Sequence, residues 1–142
     1  MKKLLYLFII SSILLCACRH TDNTTSLRQA DAVIYGNSDS AMKLLSSIKN
    51  PERLPFEEKM LYGWLRTFVH NVRGNSMTED SLILPAFDYV VAGPDTVKML
   101  NSFVLKSKYL YWQKRHEEAM SVLDSGIAAA TACRDTYLMV SM

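Results

Sequence analysis

The sequence predicts an all-α protein. Apolar residues recur at i, i+3, i+4 and i+7 in segment after segment, the mark of a helix with one buried face. Gly-Asn, Asn-Pro and Gly-Pro pairs separate the segments, and such pairs stop helices. The segments also follow one another through short polar turns, which favours antiparallel αα-hairpins.

The first 25 residues read as an address rather than as part of the fold. Met1-Lys2-Lys3 is a short positive region, and Leu4–Leu15 is an apolar run broken only by Ser11 and Ser12. At 1.5 Å per residue it would rise about 18 Å. A membrane core is about 30 Å thick, so a signal peptide fits better than a membrane span. Its end, Leu15-Cys16-Ala17-Cys18, resembles the bacterial lipoprotein box: an apolar residue three before the cysteine, a small residue just before it, then the cysteine. The resemblance implies cleavage after Ala17 (signal peptide 1–17), a diacylglycerol on the Cys18 thiol and a further acyl chain on its new amino group. Two or three long chains anchor a protein firmly, at about 0.8 kcal/mol per buried methylene. Arg19 follows the cysteine, where lipoproteins of the inner membrane usually carry Asp. The expected location is therefore the envelope of a Gram-negative bacterium, in the outer membrane rather than the inner. Polar residues 18–25 form the tether, and 26–142 the helical domain.

Within that domain, Leu27, Ala30, Val33 and Ile34 predict a helix over Ser26–Tyr35 that ends at Gly36-Asn37. Asp39 is the expected cap of the next helix, which carries Met42, Leu44, Leu45 and Ile48 and stops at Asn50-Pro51. These two form a first hairpin. Pro55-Phe56-Glu57-Glu58 opens the helix expected to be the longest. Proline is tolerated in a first turn, and acids there suit the helix dipole. Met60, Leu61, Trp64, Leu65, Phe68, Val69 and Val72 line it, Gly63 is a candidate crossing point, and Gly74-Asn75 ends it. Glu79-Asp80 then starts a helix through Leu82, Ile83, Ala86, Phe87, Val90 and Val91. Pro85 should kink it or delay its regular start. Gly93-Pro94 ends it, and Asp95 caps its successor.

The segment Val97–Ala130 is the most regular. Leu100, Phe103, Val104, Ser107, Leu110 and Tyr111 share one face. After a break at Lys114-Arg115, Ala119, Met120, Leu123, Gly126, Ile127 and Ala130 share another. Ser107, Ala119 and Gly126 are small and stand 12 and then 7 residues apart. This hairpin resembles a tetratricopeptide repeat, a family that keeps small residues at those intervals. Two positions depart from the pattern: Lys106 stands where the family has an apolar residue, and His116 where it prefers an aromatic. The resemblance implies an array of about three antiparallel hairpins and a protein-binding role. Ala41, Leu82 and Ala119 mark the repeats at intervals somewhat longer than the family's 34 residues. Tyr137, Val140 and Ser141 fit the first helix of a fourth repeat, and the pattern stops there in mid-course. Repeat arrays need a polar cap at each end. Tyr137, Leu138, Val140 and Met142 are apolar instead, so self-association through them, or a covering partner, is expected.

Composition narrows the function. The 142 residues include 16 basic and 14 acidic side chains. Loss of Lys2 and Lys3 with the leader leaves 14 of each, so nucleic-acid binding has no electrostatic support. Cys133 would be the one internal thiol left, which excludes a disulfide framework; it is expected to be half-buried between two helices. His20, His70 and His116 have no metal-ligand spacing, and no cofactor is implied. His116-Glu117-Glu118 reads as a helix start, and His70 with Arg66 and Arg73 as a solvated face. No Gly-rich phosphate loop, nucleophile motif or acid–base pair can be named, so an enzyme is not expected. Asp39-Ser40-Ala41, Asp80-Ser81-Leu82 and Asp95-Thr96-Val97 resemble a bacterial O-glycosylation sequon, but helix capping is the preferred reading. Trp64 belongs to the core, whereas Tyr109, Trp112 and Tyr137 are the candidate partner contacts, since exposed aromatics are enriched in binding hot spots. The expected function is a lipid-anchored helical-repeat protein that mediates protein–protein interaction in the envelope. Two alternatives remain open. One is the periplasmic sensing part of a longer repeat-containing transcriptional regulator or sensor kinase. The other is a glycan-binding outer-membrane lipoprotein.

Overall fold

The structure, a computed structural model, describes residues 23–75 and 82–133. Among the described residues there are six α-helices and no strand, as the sequence predicts. They are α1 (residues 23–33), α2 (Ser38–Ser47), α3 (Phe56–Val72), α4 (Ile83–Val91), α5 (Thr96–Trp112) and α6 (His116–Cys133), with a 3-10 turn at Pro51–Arg53 between α2 and α3. No described helix is long and apolar enough to cross a membrane. The expectations for Cys18, Glu79-Asp80, Tyr137, Leu138, Val140 and Met142 lie outside the described residues.

Local chemistry sets the boundaries. α1 is already helical at residue 23, three residues before its apolar pattern, and buries Leu27 and Ala30, with Ile34 just beyond its end. The cap of α2 is Asn37, whose side chain accepts the Ser40 N–H at 2.9 Å. Asp39, the expected cap, lies instead in the first helical turn. Asn and Asp cap equally well, and the turn after α1 ends on Asn37, two residues sooner. Pro55 is the N-cap of α3 rather than part of its first turn. At the other end Gly74 takes φ +70°, and the Asn75 N–H reaches back to the His70 carbonyl at 2.9 Å. That left-handed residue closes the helix as the Gly-Asn pair predicts. Pro85 is the third residue of α4, where its missing N–H costs nothing, and the Ala86 N–H still bonds Leu82 at 3.0 Å. The proline therefore sits at a helix start and needs no kink. In α5, Asp95 caps as expected, accepting the Lys98 N–H at 2.9 Å.

α3 is the central element. It packs on α2, α4 and α5, and it buries Met60, Tyr62, Gly63, Trp64, Leu65, Thr67, Phe68 and Val69. Trp64 is fully buried, which supports the core reading. Its ring stacks on Phe68 with centroids 5.3 Å apart, and Tyr35 meets Phe68 edge-on, also at 5.3 Å. The Trp64 Nε1–H donates to Ser102 Oγ at 2.7 Å, and that hydroxyl donates in turn to the Lys98 carbonyl at 2.7 Å. Both buried polar groups are thereby satisfied. Gly63 is a crossing point as expected: a Cβ there would stand 3.0 Å from the Leu82 Cβ and 3.4 Å from the Ala86 Cβ.

Side chains also link helices that are not successive in the chain. Thr24 on α1 bonds Glu58 on α3, 34 residues on. Tyr35 meets Phe68 at one residue less. Trp64 on α3 bonds Ser102 on α5, 38 residues on, and Lys108 bonds Asn71 across 37.

Several expectations are corrected. Only half of the predicted stripe of α5 is buried, Leu100, Ser107 and Leu110; Ser102 and Leu105 are buried outside it, while Tyr111 is 60% exposed. The helix lies between α4 and α6 and touches α3, so it packs on two faces. On α6 the small residues Ala119, Gly126 and Ala130 are buried, but Met120 and Ile127 are exposed. On α3 Val72 is exposed. α3 is also one residue shorter than α6, at 17 against 18. Finally, Cys133 is exposed at the end of α6 rather than half-buried.

Candidate binding groove

A groove of about 600 Å³ opens where three elements meet: one face of α1, the first turns of α3, and the α4–α5 turn. α1 contributes Thr24, Leu27, Arg28 and Asp31, which helical spacing puts on one face. From α3 come Glu57, Glu58 and Leu61. Tyr89, Val90, Gly93 and Pro94 form the third wall, with Asp95 and Lys98 at the start of α5. Leu27, Leu61 and Val90 make part of the lining apolar, and Phe56 meets Tyr89 edge-on at 5.8 Å at the rim.

Capping chemistry builds one wall. Asp95 Oδ1 accepts the Lys98 backbone N–H, and its Oδ2 accepts the Lys98 ammonium at 2.9 Å. The same ammonium lies 2.9 and 3.1 Å from the two oxygens of Asp31 on α1. A cap, a cation and a carboxylate 67 residues away therefore lock α1 to α5. The Lys98 side chain is 14% exposed and that of Asp31 28%, so water screens this pair less than the surface pairs. Burial alone would raise the Asp95 carboxyl, but the hydrogen bonds and charge of Lys98 outweigh it and hold the group below 3.8. Burial would likewise lower Lys98, yet its bonds to Asp31 and Asp95 raise it above 10.5. The Tyr35 phenol is pushed up to about 12, mainly by burial, with Asp95 and Asp31 adding to the shift and Lys98 opposing it.

The opposite wall is less complete. Glu58 Oε1 accepts the Thr24 hydroxyl at 3.0 Å, while Glu58 Oε2 is buried without a hydrogen-bond partner. A buried acceptor left unpaired costs about 1–3 kcal/mol.

The sequence-based candidates lie elsewhere. Tyr109 packs in part against the main core, and Trp112 is 36% exposed at the last turn of α5. Neither lines the groove. Tyr137 and Cys18 are outside the described residues. His116 opens α6 with its ring 4.9 Å from Tyr111, and Arg115 pairs with Glu118, in accord with a helix start. A second, smaller hollow of about 290 Å³, lined by Ser107, Tyr111, His116, Ala119, Met120 and Leu123, lies on the α5–α6 hairpin and is almost wholly apolar. Among the described residues no cluster of His, Cys, Asp and Glu has the arrangement of a metal site. The groove residues escaped sequence reading because Asp31, Glu58 and Lys98 are far apart in the chain. Only the cap at Asp95 and the acids at 57–58 carried a local signal.

Compared with known proteins, the chain matches no family model, no curated protein and no solved structure.

Proposed function

We propose that this protein is a binding scaffold rather than an enzyme: a helical-repeat domain tethered by a lipid at Cys18 that docks a protein partner in the cell envelope. The observation that carries the docking role is the groove between α1, α3 and the α4–α5 turn. It is large enough to hold a short stretch of chain, mixes apolar and charged groups, and is bordered by the Asp31–Lys98–Asp95 lock. Support for a tetratricopeptide-like architecture comes from the register of α1, α3 and α5, with side-chain pairs 34, 37 and 38 residues apart. The anchor rests on Leu15-Cys16-Ala17-Cys18 after a short apolar run.

Two variants test the reading. Cys18→Ser should move the protein from the membrane fraction to the soluble one, and mass spectrometry of the parent should find Cys18 acylated at a new N-terminus. A parent protein that is already soluble with Cys18 unmodified overturns the anchor. Tyr89→Arg places a long cation at the groove rim. It should abolish co-purification of a discrete envelope partner while leaving the helical circular dichroism unchanged. If the partner is retained, it docks elsewhere.

A further inference from the structure

We infer that the groove selects a partner segment carrying a basic side chain beside apolar ones. The inference rests on the docking role proposed above and names the chemistry of its occupant. Four carboxylates line the groove (Asp31, Glu57, Glu58 and Asp95), against two cations, Arg28 and Lys98. The remainder of the chain shows no such excess, because the sequence beyond the leader is balanced at 14 basic and 14 acidic side chains. The Lys98 ammonium is already held by Asp31 and Asp95, so its charge is spent within the wall. Beside that lock the lining presents Glu57 and Glu58 on α3 with the single cation Arg28 on α1, so the groove as a whole keeps a net charge of −2 from its four carboxylates and two cations. Charge complementarity across a partly desolvated groove favours a cation.

Glu58 adds a specific vacancy in hydrogen bonding. One of its oxygens takes the Thr24 hydroxyl, and the other is buried with no donor. A small rotation of the carboxylate would present it to an ammonium or guanidinium, which supplies the missing donor and neutralises the charge in one contact. Leu61 and Tyr89 line the groove and keep exposed surface there to receive the methylene stem of that side chain, as long cationic side chains bury their stems and keep the charge at a polar group. An acidic or phosphorylated segment would meet like charge at the same wall.

Three peptides distinguish the outcomes: acetyl-Gly-Leu-Lys-Leu-Gly-amide and its analogues with Gln or Glu in place of Lys. Each is titrated into the full chain, held in a neutral detergent micelle, and backbone amide shifts are read at Thr24, Leu61, Tyr89 and Gly93. The Lys peptide should shift these amides saturably. The Gln peptide should bind at least tenfold more weakly, and the Glu peptide should leave them unmoved. Glu58→Gln and, separately, Glu57→Gln should each weaken the Lys peptide severalfold, whereas Asp124→Asn on exposed α6 should not. Equal binding of the Lys and Gln peptides overturns the cation preference and leaves the docking groove standing. If no peptide moves these amides, or both glutamate variants bind the Lys peptide as the parent does, the inference fails whether or not a partner co-purifies.

Discussion

Helices α3 and α6 are nearly equal in length but hold their places by opposite means. α3 has neighbours on several sides and fills the space between them with Trp64, Leu65, Phe68 and Val69. α6 lies on α5 and buries only Ala119, Gly126 and Ala130. Large side chains contribute through the apolar area they remove from water. Small ones contribute through close approach of two backbones, and little area is lost if one is trimmed. The same periodicity thus encodes a load of buried area in one helix and the burial of small residues alone in the other. The groove belongs to the first region. Its walls are α1, the first turns of α3 and the α4–α5 turn with the start of α5.

Substitutions should separate the two regimes. Trp64→Ala should have the largest effect, about 3–5 kcal/mol, because it empties the centre of the core and leaves Ser102 without its indole donor. Urea denaturation measures it, and a loss under about 1 kcal/mol would mean α3 is not the central helix. Next comes Gly126→Leu, which should cost about 1–3 kcal/mol by forcing α5 and α6 apart. If that substitution proves harmless, the face lies in solvent and the account of α6 breaks.

Lys98→Met should cost about 1–3 kcal/mol near neutral pH, since it leaves Asp31 and Asp95 facing each other without a cation. The pH dependence has a definite sign. The Asp95 carboxyl is held below its ordinary value, so its contribution is present above about pH 4 and is lost as pH falls through the folded value. Lys98 is raised, so its contribution is full below about pH 10.5 and is lost as pH rises through the folded value. Thermal melts from pH 2 to 11 should show both declines in the parent, with the Asp95 and Lys98 shares missing in the variant. Superposable profiles would show that the lock contributes nothing.

The smallest expected effect is at a cap. Asn37→Ala should cost about 1 kcal/mol, and Asp39→Ala under about 0.5 kcal/mol. The reverse order would return the cap to Asp39.

Much of the fold was legible in the sequence, and the misses have physical causes. Helix stops at Gly74, Asn50-Pro51 and Gly93-Pro94, the cap at Asp95 and the small residues Ser107, Ala119 and Gly126, all three buried, are local features, and local spacing reveals them. Tyr111, Met120 and Ile127 fit a helical stripe yet are exposed, because periodicity identifies an apolar face and not whether a neighbour covers it. Ser102 carries no local signal, because its role depends on Trp64, 38 residues away. The groove was illegible for the same reason: it is assembled from three separated stretches, and the Asp31–Lys98 pair that shapes it spans 67 residues.

The central claim is that partners dock in the groove of the well-packed half and not on the apolar hollow of the α5–α6 hairpin. Photo-crosslinking in intact cells tests it directly, with a benzoylphenylalanine introduced in place of Tyr89 in one strain and of Met120 in another. The account predicts a discrete adduct from position 89 and none from position 120. An adduct from position 120 alone would contradict it and move the binding surface to the hairpin.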